Sequence, residues 1–186
     1  NNARAHAVLA VLQWVDGRDA EALESANTAV TAQPNDAEAF GNLALILAHI
    51  GRREDAIVAI EKALRLDPSP APGFKLLAGI VLYAAEADER AIPLIDAALT
   101  GLPKAEPARE YLAASYANTG QGAQAAQEVG HLLELFPEAN VNYYRYLYDY
   151  WELEDLERHL KALKAAGLPD WPFGFQGKGA DQVTGA

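Results

Sequence analysis

The sequence predicts an all-α fold, a superhelix of stacked helix hairpins, on three observations. Ala and Leu, strong helix formers, dominate a chain of 186 residues that is 51% hydrophobic, while clusters of Val, Ile and Thr are sparse. Apolar residues recur at i, i+3, i+4 and i+7, the spacing of one helix face. A pattern of Gly, small, aliphatic, small and Pro returns every 34 or 35 residues.

The clearest unit is AFGNLALILAHIGRREDAIVAIEKALRLDP, Ala39 to Pro68. Phe40, Leu43, Ala44 and Leu47 mark a first helix. Gly51 ends it, where the chain needs a left-handed residue. Ala56, Ile60 and Ala63 mark a second helix, small where two helices must approach closely. Pro68 stops it, because the residue before a proline disfavours helical dihedrals. The preceding unit shows the first-helix pattern only in part, at His6, Leu9, Ala10 and Gln13, then Gly17, Ala22, Ala26, Ala29 and Pro34. The third has Phe74, Leu77, Ala78 and Val81, then Ala91, Ile95, Ala98 and Pro103. Its second helix lies 35 residues on, which places an inserted residue before that helix, with Ala85 where the glycine stood. The fourth has Leu112, Ala113 and Tyr116, with Arg109 replacing the aromatic, then Gly120, Ala125, Val129, Leu132 and Pro137.

These marks divide the chain into units of about 3–36, 37–70, 71–105 and 106–139, with a divergent fifth pair at 140–168. NVNYYRYLYDYW is its first helix and DLERHLKALKAAG its second, with Leu156, Leu160 and Leu163 at helical spacing. Gly167 and Pro169 are its stop signals, and its connection looks shorter than the others. A terminal pair must shield the core. Tyr146, Leu147 and Tyr150 are therefore expected to face the fourth unit, leaving Tyr144 and Tyr148 on an exposed face that could hold a partner. Residues 169–186 read as an extended arm whose Trp171, Phe173 and Phe175 fold back, flexible beyond Gly177.

The period and these positions resemble the tetratricopeptide repeat (TPR) family over residues 3–139. The resemblance implies a right-handed superhelix whose concave face, lined by the first helix of every pair, holds a protein or peptide. Registering the units places Asn42, Leu45 and His49 on that face from the second, and Lys75, Leu76, Gly79 and Tyr83 from the third. The fourth supplies Glu110, Tyr111, Ala114 and Asn118, and the fifth adds Tyr144 and Tyr148. This mixed apolar, aromatic and amide lining suits an extended peptide or a helix. In the carboxylate-clamp subset of the family, Asn42 would match one position, but Pro72 and Leu76 stand where basic residues are expected. That ligand class is not expected here.

A narrower resemblance lies in DLERHLKALKAAGLPDWPFGFQGKGADQVTG, Asp155 to Gly185. It is similar to the closing segment of proteobacterial class III adenylate/guanylate cyclases that carry TPR arrays after the catalytic domain. This implies a cytoplasmic regulatory region of a signalling protein, with the cyclase's aspartates and nucleotide pocket outside this chain. The opening NNARAHAVLA has no methionine, which suggests a piece of a longer or processed protein.

The remaining chemistry is sparse. A net charge of −11 argues against a nucleic-acid footprint, and its plainest consequence is solubility. With no cysteine there is no disulfide or thiolate chemistry. His6, His49, His131 and His159 do not pair at i, i+3 or i+4, so no metal site is expected. GFQGKGA fails as a phosphate loop, because Pro172 stands five residues before Gly177 and Gly179 follows Lys178. No apolar run reaches the ~18 residues of a membrane span. The expectation is a non-catalytic interaction module without a cofactor. The alternative is self-association, as a homodimer for example, through the aromatic end or the tail.

Overall fold

The structure, a computed structural model, describes residues 3–172. Ten helices and no strand occur among the described residues. They are α1 (Ala3–Val15), α2 (Asp19–Ala32), α3 (Ala37–His49), α4 (Arg53–Leu66), α5 (Pro72–Ala84), α6 (Asp88–Leu99), α7 (Glu106–Asn118), α8 (Gly122–Leu135), α9 (Val141–Leu147) and α10 (Leu153–Ala165). Helices α1 to α8 form four hairpins stacked side by side, each first helix packing on its own partner and on the next first helix. None of the described helices is long and apolar enough to cross a membrane.

The repeated small residues are the seams of this stack. Ala22, Ala26, Ala29, Ala56, Ala63, Ala91, Ala98 and Ala125 are fully buried, as are Ile60, Ile95 and Leu132. Arg109, in the place of the aromatic, sends its guanidinium to Glu128 of α8 at 2.5 Å, so a half-buried ion pair replaces a ring. The first unit is the loosest. Ala10 and Gln13 are buried, but Val8, Leu12 and Val15 lie exposed along α1.

The third unit departs from its expected register. Both α5 and α6 begin 35 residues after α3 and α4, at 72 and 88 against 37 and 53. The extra residue therefore lies ahead of α5, in the link 67–71, and not between the two helices. Two consequences follow. The left-handed turn residue is Glu86, at φ 59°, where the sequence pointed to Ala85; it closes the turn as Gly51 does at φ 78°. The amide of Ala87 donates to Leu82 O at 2.8 Å, matching Arg52 to Leu47 O at 2.8 Å. And Gly79, not Ala78, takes the place of Ala44 at the helix crossing. A Cβ on Gly79 would come within 2.3 Å of Ile95 Cγ1.

A left-handed non-glycine residue costs roughly 1–2 kcal/mol. Glu86→Gly is therefore expected to stabilise the chain by about 1 kcal/mol, reduced by loss of the exposed Arg53–Glu86 pair. A higher urea midpoint with an unchanged slope is the expected readout.

The fifth pair does not extend the stack. Helix α9 ends at Leu147, and 148–152 lead to α10, so this connection is longer than 16–18, 50–52, 85–87 or 119–121, not shorter. Asn140 starts α9 by accepting the amide of Tyr143 at 2.9 Å. Helix α10 then packs on α7, while α9 makes no comparable contact with α8. The first residues of the arm turn back: the amide of Val141 donates to Pro169 O at 2.9 Å, and Asn142 Nδ2 to Asp170 O at 2.6 Å. Phe173, Phe175 and the stretch beyond Gly177 lie outside the described residues.

Candidate functional site

The turn that detaches α9 and α10 from the stack lays residues 148–159 across the concave side of α3, α5 and α7. Aromatic rings fill the upper part of this contact. His49 stacks on Trp14 with ring centres 4.3 Å apart and meets Trp151 at 5.3 Å. Tyr150 meets Trp14 edge-on at 5.3 Å, and Tyr148 stacks on Trp151 at 4.3 Å. Tyr83 and Tyr111 cross edge-to-face beneath them, at 5.1 Å.

Beside the rings lies a polar chain, fully buried at Tyr83, His159 and Glu110 and half-buried at Glu106 and Tyr148. Tyr83 Oη is 2.8 Å from His159 Nδ1, and His159 Nε2 is 2.8 Å from Glu110 Oε1. Tyr148 Oη donates to Glu110 Oε2 at 3.1 Å, and Tyr144 Oη donates to Glu106 Oε1 at 2.9 Å. With the hydrogen on Nε2, His159 donates to Glu110 and accepts from Tyr83, so each of these groups is paired. His159 is 0% exposed and Glu110 1%. Tyrosine, histidine and carboxylate in a row could relay a proton, but these are closed to solvent, and their geometry is that of a clasp.

An ionic rim surrounds the clasp. Arg158 pairs with Asp88, which also accepts from Asn118 Nδ2 at 3.0 Å. The Arg158 guanidinium lies 4.6 Å from the centre of the Tyr83 ring. Arg53 holds Asp155 at 3.0 Å and Glu86 at 2.9 Å. Burial pushes the Asp88 carboxyl up, against the pull of Asn118 and Arg158. It pushes Glu110 up as well, against its bonds from His159 and Tyr148. The Tyr83 and Tyr111 hydroxyls are raised by the same desolvation.

Burial lowers His49 from 6.5 to about 4. The folded state therefore holds it uncharged, a contribution complete above pH 6.5 and lost as pH falls toward 4. Its full size is on the order of 3 kcal/mol. Asp88 and Glu110 have the opposite sign, since their contribution is greatest in acid and lost as pH rises through their raised values. His49→Phe keeps a ring between Trp14 and Trp151, so the difference between wild type and variant isolates His49. Melting from pH 7 to pH 4 is expected to show a steeper loss in wild type than in the variant.

The residues expected on the groove separate into three groups. His49, Tyr83, Glu110 and Tyr111 lie buried in the contact with the carboxyl-terminal segment, and Asn118 bonds Asp88 at its rim. Asn42 and Leu45 are half-buried on this face, whereas Lys75 and Leu76, also half-buried, take the places of Phe40 and Gly41 in the corrected register and so face the hairpin partner and the next unit. Gly79 and Ala114 are buried in the packing, Gly79 against Ile95. The orientation of the aromatic run is the reverse of that expected. Tyr144 is 0% exposed and Tyr148 half-buried, whereas Tyr146 is 82% exposed, Leu147 also faces outward, and Tyr150 leans on Trp14 with one edge in solvent. The cause is the carboxylates of α7: Tyr144 and Tyr148 turn inward to reach Glu106 and Glu110.

Sequence reasoning missed Trp14, Asp88, Trp151, Arg158 and His159 as parts of this site. No repeat position marks them, and the only signal was that the fifth unit breaks the pattern just where aromatics concentrate. No group of three or more His, Cys, Asp or Glu positioned to hold a metal occurs among the described residues.

The tetratricopeptide repeat family model matches residues 1–37, 9–71 and 42–107 of the chain. No curated protein matches. Among solved structures, MamA residues 41 to the end from Desulfovibrio magneticus RS-1 is 21% identical, with a TM-score of 0.63 over 89% of this chain and 91% of that one. YrrB, described as a TPR protein with an unusual peptide-binding site, is 22% identical, with a TM-score of 0.58 over 87% and 82%. PilF of Pseudomonas aeruginosa is 20% identical, with a TM-score of 0.64 over 89% and 76%. These likenesses are of fold.

Proposed function

Because the chain belongs to the tetratricopeptide repeat family, we propose that it is a non-catalytic module that binds protein segments along its concave face. The observation that carries this reading is that the face already holds a polypeptide, residues 148–159, through rings, a buried hydrogen-bonded clasp and ion pairs. A surface that packs its own chain in this way has the chemistry to pack another. The peptide-binding site described for the similar YrrB agrees with this reading. The half-buried positions Asn42 and Leu45 are where an external ligand makes its first contact. The resemblance of residues 155–185 to the closing segment of TPR-bearing cyclases supports a finer role. On that reading the module is the cytoplasmic regulatory or scaffolding region of a larger signalling protein.

Selection of displayed peptides against the full chain tests the binding site. Selected peptides are expected to lose tenfold or more in affinity for Asn42→Arg, with circular dichroism unchanged. Undiminished binding to that variant and to Tyr111→Ala would place the site elsewhere.

The outward Tyr146 and Leu153 favour a second reading, self-association through the aromatic end. Light scattering across a hundredfold range of concentration decides it, because a constant monomer mass ends it.

A further inference from the structure

The carboxyl-terminal segment differs from a permanent cap in two respects. A terminal cap presents a polar outer face. Here the outside carries Tyr146 at 82% exposure and Leu153 at 69%. The segment also follows the link 136–140 and reaches the stack through side chains far apart in sequence: Arg158 to Asp88, His159 to Tyr83 and Glu110, Asp155 to Arg53.

We infer that residues 148–159 are a resident ligand of the concave face, and that the partner in trans is a helical segment of the same chemistry: a tyrosine–tryptophan pair followed by Arg-His two turns on. The receptor side dictates that chemistry. Asp88 and Glu110 are carboxylates in a nearly dry groove and call for a cation and a hydrogen-bond donor one residue apart, which Arg158 and His159 supply. Trp14, His49 and Tyr111 form a shelf of rings that calls for a flat aromatic, which Trp151 supplies. A chain lacking the basic pair leaves Glu110 without its imidazole donor and Asp88 with Asn118 alone, and is rejected. The resident segment is tethered, so it competes at a high effective concentration. An external partner therefore binds well only when the resident is released or when it matches this pattern closely. This inference rests on the concave face being a ligand site.

Native-state hydrogen exchange on the wild-type chain is the first test. Helix α10 is expected to open at lower denaturant than α3, α5 and α7, and opening of all four together overturns the proposal. The second test uses Arg158→Glu, which sets a carboxylate against Asp88. In this variant α10 is expected to lose protection while α1 to α7 keep theirs. A fluorescein-labelled peptide of residues 141–168 should then bind it at least tenfold more tightly than it binds wild type. The same peptide carrying Arg158→Glu and His159→Ala should bind neither. Loss of protection throughout the chain, or a released α10 with no peptide uptake, overturns the proposal. If the peptide binds while displayed peptides show no dependence on Asn42, the resident-ligand inference stands and the external site proposed above is what fails.

Discussion

Replacing Glu110 by alanine is expected to cost about 2–6 kcal/mol, roughly 1–3 for each of the two donors it leaves without an acceptor. The carboxylate accepts from His159 Nε2 and from Tyr148 Oη, and both donors are held where water cannot replace it. Their desolvation goes uncompensated, which costs more than the hydrogen bonds themselves are worth. The damage should fall first on the contact between α7 and the carboxyl-terminal segment. Urea unfolding of Glu110→Ala should show a reduced midpoint, and Trp151 should change its emission before helicity is lost. Glu110→Gln keeps one acceptor for His159 and should recover part of the loss. A change below ~1 kcal/mol in Glu110→Ala would show that the clasp contributes little to the docked arrangement.

The second large effect is expected at Gly79. By helix propensity alone, Gly79→Ala should stabilise α5 by about 1 kcal/mol. The structure predicts the opposite sign. The added Cβ would lie 2.3 Å from Ile95 Cγ1, and Ile95 is completely buried, so it has no open direction in which to move. Overpacking of this kind costs roughly 1–3 kcal/mol. The net result for Gly79→Ala is a loss of up to about 2 kcal/mol, and for Gly79→Val a larger one. The double variant Gly79→Ala, Ile95→Ala should lose less than the sum of its parts, because removing the Ile95 side chain opens the space the methyl needs. Strict additivity would mean that the two residues are not in contact, and the corrected register of the third unit would then be wrong.

The same glycine shows where reading the sequence stops working. Phe74, Leu77, Ala78 and Val81 satisfy the helix pattern as well as the true alignment does, because apolar residues run continuously through α5. Spacing cannot separate two registers that differ by one residue when both place apolar groups on the same side. The contact with Ile95 separates them. Ala85 and Glu86 pose the same problem at the turn, where only the backbone angle identifies the left-handed residue.

The aromatic end is a second case. A seven-residue helix completes fewer than two turns, too few for periodicity to define a face. Tyr144 and Tyr148 point inward because Glu106 and Glu110 are there to accept their hydroxyls. Those carboxylates lie on α7, 38 residues earlier in the chain.

By itself, the sequence determined the all-helical class, the four hairpins, their buried small residues and the family, because each of these is written in contacts between residues near one another along the chain and is repeated four times. Only the tertiary structure decided that the fifth pair leaves the stack and fills the concave face. That arrangement depends on single pairings across long separations, Tyr83 with His159 and Asp88 with Arg158, and a pairing that occurs once leaves no period to read.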